Sequence, residues 1–168
     1  PPNVPTTTTV TSDLNPSLFG NNVTFTATVL SGSNPVTQGT VTFTAGATIL
    51  AANVALNGSG QASVSTSTLA EGSHTITATY SGATGFATSS GTVTQVVNNI
   101  RIHDIQAATH ISPYNGQVVG NIPGIVTAVR SNGFYLQDPN PDANDATSEG
   151  IFVFTSSAPT VSVGNAIN

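Results

Sequence analysis

The stretch Val23-Thr-Phe-Thr-Ala-Thr-Val29 decides the fold of the first half of the chain. Apolar side chains occupy every second position, and threonine occupies the positions between them. The same alternation returns in Thr40-Val-Thr-Phe-Thr44 and in Thr75-Ile-Thr-Ala-Thr-Tyr80. A period of two with one apolar face predicts half-buried antiparallel strands. The β-branched threonines suit the outer faces of such strands.

Turn-forming pairs separate these alternating runs. Asn15-Pro16, Asn57-Gly58 and Ser81-Gly82 are the clearest of them. Because Asn-Gly is the strongest short-range hairpin signal, Asn57-Gly58 predicts a hairpin that joins Val54 and Leu56 to Ala62 and Val64. About seven short strands at this spacing predict an all-β fold built around a β-sandwich.

The charge content excludes some classes of function. Of the 168 residues only 5% are charged: two arginines, no lysine and seven acids, for a formal net charge of −5. A free-standing nucleic-acid binder needs a basic stripe, which this chain cannot build. No apolar run approaches the roughly 20 residues that span a bilayer. A threonine-, serine- and asparagine-rich surface without lysine is typical of an extracellular or cell-surface protein.

The sequence pattern changes after Asn98-Asn99. Threonine becomes rarer, and both arginines and five of the seven acids lie beyond this point. We therefore expect two domains, a β-sandwich at residues 1–98 and a smaller β domain at residues 99–168. In the second domain, strands are expected at residues 102–106, 117–129 (long and bent), 133–137 and 151–154.

Five motifs follow one another in order through the first domain: Thr6-Thr-Thr-Thr-Val-Thr, Asn15-Pro-Ser-Leu-Phe-Gly, Val23-Thr-Phe-Thr-Ala-Thr-Val, Gly39-Thr-Val-Thr-Phe and Leu69-Ala-Glu-Gly-Ser-His-Thr-Ile-Thr-Ala-Thr-Tyr-Ser-Gly. Through them, residues 6–97 resemble the bacterial immunoglobulin-like repeats of surface proteins. The resemblance implies an immunoglobulin-like β-sandwich that serves as a spacer or an adhesive module. It implies no particular chemistry.

Five further motifs follow in the second domain: Ile102-His-Asp-Ile-Gln, His110-Ile-Ser-Pro-Tyr, Gly124-Ile-Val-Thr-Ala-Val, Gly133-Phe-Tyr-Leu-Gln-Asp-Pro and Ala146-Thr-Ser-Glu-Gly-Ile-Phe-Val-Phe. Residues 101–168 thereby resemble the OB-fold-like module that precedes the catalytic domain of secreted bacterial nucleases of the endonuclease/exonuclease/phosphatase family. The catalytic domain itself is absent from this chain. A five-stranded barrel should continue beyond Val161-Ser-Val-Gly164, so a partial OB-like β-barrel is expected.

The acidic loop of the second domain is a candidate Ca²⁺ site. Oxygen-bearing side chains stand at positions 1, 3, 5, 7 and 12 of the loop, namely Asp138, Asn140, Asp142, Asn144 and Glu149. Ca²⁺ takes six to eight such oxygens. Ala143 stands where an EF-hand has glycine, and strands flank the loop, so the loop is not an EF-hand. A rigid, solvated Pro/Asp turn without a metal is the alternative and is favoured.

His103, Asp104 and His110 are candidates for metal binding or acid–base chemistry. If residues 102–106 form a strand, His103 and Asp104 point to opposite faces and cannot both contact one ion. A structural role is therefore favoured for them. The chain has no cysteine, no Gly-x-Ser-x-Gly motif and no serine with a recognisable base. We assign no catalytic residue and do not expect this chain to be an enzyme.

Aromatic residues of the second domain are candidates for base stacking. Phe134, Tyr135, Phe152 and Phe154 lie where an OB fold presents stacking rings. The phenylalanines are expected to fill the core, which leaves Tyr135 as the candidate for stacking on nucleic acid. Two arginines against five acids give residues 101–168 a net charge of −3, so nucleic-acid binding by this chain alone is unfavourable.

Three functions remain open from the sequence. The first is a non-catalytic structural or adhesive segment of a secreted or cell-surface bacterial protein. The second is a subunit of an extracellular fibre in which copies exchange β-strands, with residues 1–12 or the C-terminal strand as donor. The third is the accessory, substrate-orienting part of a secreted nuclease or phosphoesterase. The expected partners are further copies of the chain or neighbouring domains of the same polypeptide.

Overall fold

A computed structural model describes residues 2–109 and 111–167. The chain divides into two compact units, Pro1–Asn98 and Asn99–Asn168. Both are built from strands, with one short helix in the described part of the second unit. The predicted all-β class is confirmed. Among the described residues no helix is long and apolar enough to cross a membrane.

The first unit is a sandwich of two sheets. Its described strands are β1 (Thr7–Ser12), β2 (Ser17–Leu18), β3 (Val23–Ser31), β4 (Asn34–Pro35), β5 (Thr40–Ala45), β6 (Thr48–Ala55), β7 (Gln61–Thr66), β8 (Gly72–Tyr80) and β9 (Ser89–Asn98). In one sheet, β3 pairs with β1, β4 and β7. The other sheet has the order β2-β9-β8-β5-β6.

The threonine alternation produces the core of this sandwich. In β3 the apolar residues of the repeat are buried and the threonines between them are half-buried. The buried apolar residues of both sheets form one cluster of Val10, Val23, Phe25, Ala27, Val29, Val36, Val41, Phe43, Leu56, Ala62, Leu69, Ile76, Ala78, Tyr80 and Val97. Burial of one face of each sheet against the other stabilises the unit mainly through the hydrophobic effect.

The hairpin predicted at Asn57-Gly58 is wrong. β6 pairs with β5, whereas β7 pairs with β3 in the opposite sheet. The turn between them therefore connects the two sheets. The Asn57 Oδ1 atom accepts hydrogen bonds from the backbone of Ser59 and Gln61, at 2.9 and 3.0 Å. Gly60 follows with φ of +71°, a conformation that favours glycine.

Side-chain hydrogen bonds tie the first strand of the sandwich to the last. The hydroxyls of Thr6 and Thr8 lie 2.8 and 2.7 Å from the Ser89 hydroxyl. Further along, the Ser12 hydroxyl donates to the Gln95 Oε1 atom at 2.6 Å. Between these bonds, Gly91 packs directly on the backbone of Thr8, and a Cβ at position 91 would overlap the Thr8 carbonyl.

The second unit has one antiparallel sheet and the helix. Its described elements are α1 (Ile102–Gln106), β10 (Gly124–Arg130), β11 (Gly133–Gln137), β12 (Gly150–Phe154) and β13 (Ala166–Ile167). The sheet order is β12-β11-β10-β13. The buried core comprises Ile102, Val126, Phe134 and Leu136. Closure of this sheet into a partial OB-like barrel stays a prediction.

For the second unit, one strand prediction is wrong and another is right only in part. Residues 102–106 form α1 rather than a strand, because Ile102 is fully buried while the Asp104 carboxylate accepts the Arg101 backbone N–H at 2.8 Å and closes the first turn. Of residues 117–129, only those from Gly124 onward belong to a strand, β10. The predicted strands at residues 133–137 and 151–154 are confirmed as β11 and β12.

Candidate functional site

Four of the five acids of the second unit gather around one histidine. α1 supplies His103 and Asp104, and the loop between β11 and β12 supplies Asp138, Asp142 and Glu149. The loop is closed at its base, where the Asp138 backbone N–H donates to the Glu149 carbonyl at 2.7 Å. That bond brings the two ends of the acidic loop beside the helix.

Asp138 anchors the loop through an ion pair. Its fully buried carboxylate accepts the Nε–H of Arg101 at 3.1 Å and a second hydrogen bond from Nη2 of the same guanidinium. The Asn140 backbone N–H adds a third at 2.9 Å. Burial alone would raise the pKa of Asp138, but the hydrogen bond from Arg101 and that from Asn140 hold it below its usual value. Asp138 is therefore ionised at neutral pH and paired with Arg101.

His103 stands between several carboxylates without a hydrogen bond at Nδ1. Its Nδ1 atom lies 3.5 Å from Asp138 Oδ2 and 3.6 Å from Glu149 Oε2. Its Nε2 atom lies 3.7 Å from Asp104 Oδ1. The Nδ1 atom and Glu149 Oε2 are both buried, and neither has a hydrogen-bond partner.

Asp142 completes the group from the exposed side. Its carboxylate accepts the Asn144 backbone N–H at 2.8 Å and the Thr147 hydroxyl at 3.1 Å. The bond from Asn144, followed by that from Thr147, lowers the pKa of Asp142 against a smaller opposing effect of desolvation. One donor atom each from His103, Asp142 and Glu149 lie within 4.8 Å of one another. This set has the composition of a metal-binding site.

The loop residues that the sequence suggests as Ca²⁺ ligands do not all come together in the structure. Asp142 and Glu149 come together, whereas Asp138 lies beside them with its carboxylate bonded to Arg101. The Asn144 side chain caps the Ala146 backbone N–H at 3.1 Å. The Asn140 side chain is exposed, and its backbone N–H donates a hydrogen bond to the Asp138 carboxylate.

A strand at residues 102–106, as the sequence predicts, would point His103 and Asp104 to opposite faces and favour a structural role for both. In α1 the side chains are arranged differently, and His103 faces the loop. Ile102 and Ile105, three residues apart, carried a helical signal that the short segment obscured. The other candidate histidine, His110, lies outside the described residues.

Exposed aromatic rings occupy the outer face of β11 and β12. Phe134 is buried as predicted, but Phe152 and Phe154 are not core residues, because 38% and 65% of their surface is exposed. Tyr135 is 42% exposed, and its ring centroid lies 4.9 Å from that of Phe152. The candidate stacking residue therefore has an aromatic neighbour.

A half-open apolar cavity of about 300 Å³ lies on the inner side of the same sheet. Ile105, Ile122, Phe134, Leu136 and Ile151 contribute to its wall. None of the residues that line it is titratable. The cavity thus offers shape and apolar surface but no group for acid–base or metal chemistry.

Comparison with known proteins adds one family match and one solved structure. The model of the family described as bacterial Ig-like domain (group 3) matches residues 7–98. A crystal structure described as a "putative membrane anchored protein from Corynebacterium diphtheriae" is 22% identical to this chain, with a TM-score of 0.48. The alignment covers 78% of this chain and 29% of that one. No curated protein matches the chain.

Proposed function

The chain belongs to the bacterial Ig-like domain family (group 3) through residues 7–98, and from this premise we propose that it is a non-catalytic structural segment of a bacterial cell-surface or secreted protein. In this proposal the sandwich is a spacer or adhesive unit. The second unit is an accessory module attached to it.

The outer faces of the sandwich are the observation that supports a spacer role. Residues 1–98 carry two acids, Asp13 and Glu71, and no lysine or arginine. Across β3 and β7, hydroxyls pair side by side, with Thr24 3.0 Å from Ser65 and Thr26 3.0 Å from Ser63. Such a surface binds water through its hydroxyl groups and exerts little long-range electrostatic force on neighbouring molecules.

Immunolocalisation combined with activity assays tests this proposal. Antibodies raised against residues 1–98 should label intact producing cells or the culture medium. The purified chain should hydrolyse neither DNA, RNA nor a chromogenic phosphodiester. Labelling confined to the interior of lysed cells would contradict the location, and hydrolysis that copurifies with the chain would contradict the non-catalytic role.

Strand exchange into a fibre stays a prediction. Within one chain, Thr7–Ser12 is paired along its length with β3. A donor role for this segment would require it to leave that sheet. Val10→Pro is an unsuitable test, because Val10 is buried in the sandwich and the substitution would damage the fold itself. Electron microscopy and light scattering of the purified chain at rising concentration test assembly directly, and a constant monomer mass would contradict it.

The exposed aromatic face favours the accessory role in a nuclease as a second candidate. Tyr135 and Phe152 could stack against the bases of a single strand held by a separate catalytic domain. Fluorescence anisotropy with a labelled oligonucleotide at low salt tests this role. Tyr135→Ala should then weaken binding about tenfold, since a stacked base contributes about 1–3 kcal/mol. Equal anisotropy for both proteins would argue against it.

A further inference from the structure

The starting point is a pair of buried polar atoms that face each other without hydrogen bonds. His103 Nδ1 and Glu149 Oε2 lie 3.6 Å apart, beyond hydrogen-bond distance, and both are inaccessible to solvent. Leaving a buried donor or acceptor without a partner is unfavourable, so such atoms in a folded protein call for an explanation. A ligand that both atoms bind would supply one.

We propose that His103, Asp142 and Glu149 bind a divalent transition-metal ion of the Zn²⁺ type. The three donor atoms lie within 4.8 Å of one another. In tetrahedral geometry, Zn–N and Zn–O bonds of about 2.0–2.2 Å place the ligand atoms of one ion about 3.3–3.6 Å apart. The 3.6 Å between His103 Nδ1 and Glu149 Oε2 already fits this spacing. The exposed Asp142 carboxylate would have to approach by about 1 Å, with its hydrogen bonds from Asn144 and Thr147 adjusting to the ion.

The imidazole selects the class of ion. Ca²⁺ prefers six to eight oxygen ligands. Here the three side chains offer two carboxylate oxygens and one imidazole nitrogen, which suits Ca²⁺ poorly. Imidazole together with carboxylates suits Zn²⁺ and its neighbours in the first transition row. Three protein ligands leave at least one position to water, as in open zinc sites. The site therefore differs from the all-oxygen Ca²⁺ loop that the sequence suggested, although it shares Asp142 and Glu149 with it.

Neighbouring groups support the same assignment. Asp104 stands near Nε2, the ring nitrogen that does not face Glu149, where a carboxylate commonly orients a metal-bound histidine. Asp138 lies 3.5 Å from Nδ1 while its charge is balanced by Arg101. The carboxylates around His103 thus outnumber the single guanidinium, which favours a bound dication.

A cationic His103 that simply bridges the carboxylates is the competing explanation, and metal titration separates the two. Isothermal titration calorimetry of the full chain with Zn²⁺ should show one site. His103→Gln and Glu149→Gln should each weaken Zn²⁺ binding at least tenfold. Asp145→Asn, in the same loop but outside the cluster, and His74→Gln, in the sandwich, should leave the affinity within twofold. Absence of Zn²⁺ binding, or equal losses in the control variants, would overturn the proposal.

Nuclear magnetic resonance supplies a second test that needs no variant. Zn²⁺ should shift the imidazole resonances of His103 and leave those of His74 unchanged. Substoichiometric Mn²⁺ should broaden the amides of the loop between β11 and β12 before any others. Ca²⁺ at tenfold excess should not reverse the Zn²⁺ shifts. Reversal by Ca²⁺, or shifts at His74 equal to those at His103, would refute the assignment.

Discussion

The two units of the chain are stabilised in different ways. The sandwich buries fifteen apolar residues in one cluster, whereas the described part of the second unit buries four. The second unit instead encloses the Arg101–Asp138 ion pair and the acidic loop that Asp138 anchors. A regular alternation of apolar residues builds a core large enough for one unit, and a smaller unit relies in addition on specific polar contacts.

The largest expected effect is the loss of a core ring from the sandwich. Phe43→Ala removes a fully buried side chain, so the free energy of unfolding of residues 1–98 should fall by about 4 kcal/mol. Urea titration followed through the amide resonances of that unit measures the change. Ile49→Ala is the control, since Ile49 is 62% exposed and its loss should cost under about 0.5 kcal/mol. Equal effects of the two substitutions would mean that the apolar core is not the main source of stability in the sandwich.

The corresponding change in the second unit is polar. Asp138→Asn leaves the Arg101 guanidinium without its buried carboxylate, and breaking a buried pair costs about 3 kcal/mol. Amides of residues 99–167 should lose protection at lower urea concentration, while those of the sandwich keep theirs. Asp145→Asn, an exposed neighbour, should change little. If Asp138→Asn left the second unit unchanged, its stability would depend on its small apolar core alone.

Acid should destabilise the second unit more than the sandwich. The pKa of Asp138 is lowered in the folded protein, so the stability it contributes is present above the unfolded value of about 3.9 and is lost as the pH falls through the folded value. Asp142, whose pKa is also lowered, contributes in the same direction. Amide spectra from pH 6 to pH 2 should show the second unit unfolding first. In Asp138→Asn, the difference between the pH values at which the two units unfold should shrink. Simultaneous unfolding of both units in the unmodified protein would contradict the role of Asp138 in acid sensitivity.

A smaller effect is expected where two strands of the sandwich touch. Gly91→Ala places a methyl group against the Thr8 carbonyl, and overpacking of this kind costs about 2 kcal/mol. Thermal unfolding measures the loss. Gly58→Ala, in a turn with open space around the residue, is the matched control. If Gly91→Ala were as stable as Gly58→Ala, β1 would be able to move away from residue 91 without a loss of stability.

The smallest effect concerns the hydroxyl-covered faces. Thr26→Ala removes the contact with the Ser63 hydroxyl, and exposed cross-strand pairs contribute about 0.5 kcal/mol. The melting temperature should fall by a few degrees at most. A loss as large as that of Phe43→Ala would show that the sandwich depends on its outer faces as much as on its core.

The sequence predicted the sandwich well because the alternation in Val23–Ser31 encodes burial directly. It failed at Asn57-Gly58, since a turn motif specifies local backbone geometry and not which sheet the next strand joins. The five residues of α1 are too few for periodicity to distinguish helix from strand. Asp142 and Glu149 were visible as loop ligands, but the approach of His103 depends on tertiary packing that no local pattern records.

The bonds between the first and last strands of the sandwich have a mechanical consequence. Thr8 meets Ser89 and Ser12 meets Gln95, so residue numbers rise together and β1 and β9 run in the same direction. Tension applied between residues 7 and 98 would slide these strands lengthwise past each other. Their contacts would then have to rupture together rather than one after another. The sandwich therefore opposes stretching between these two points by shear of many contacts at once.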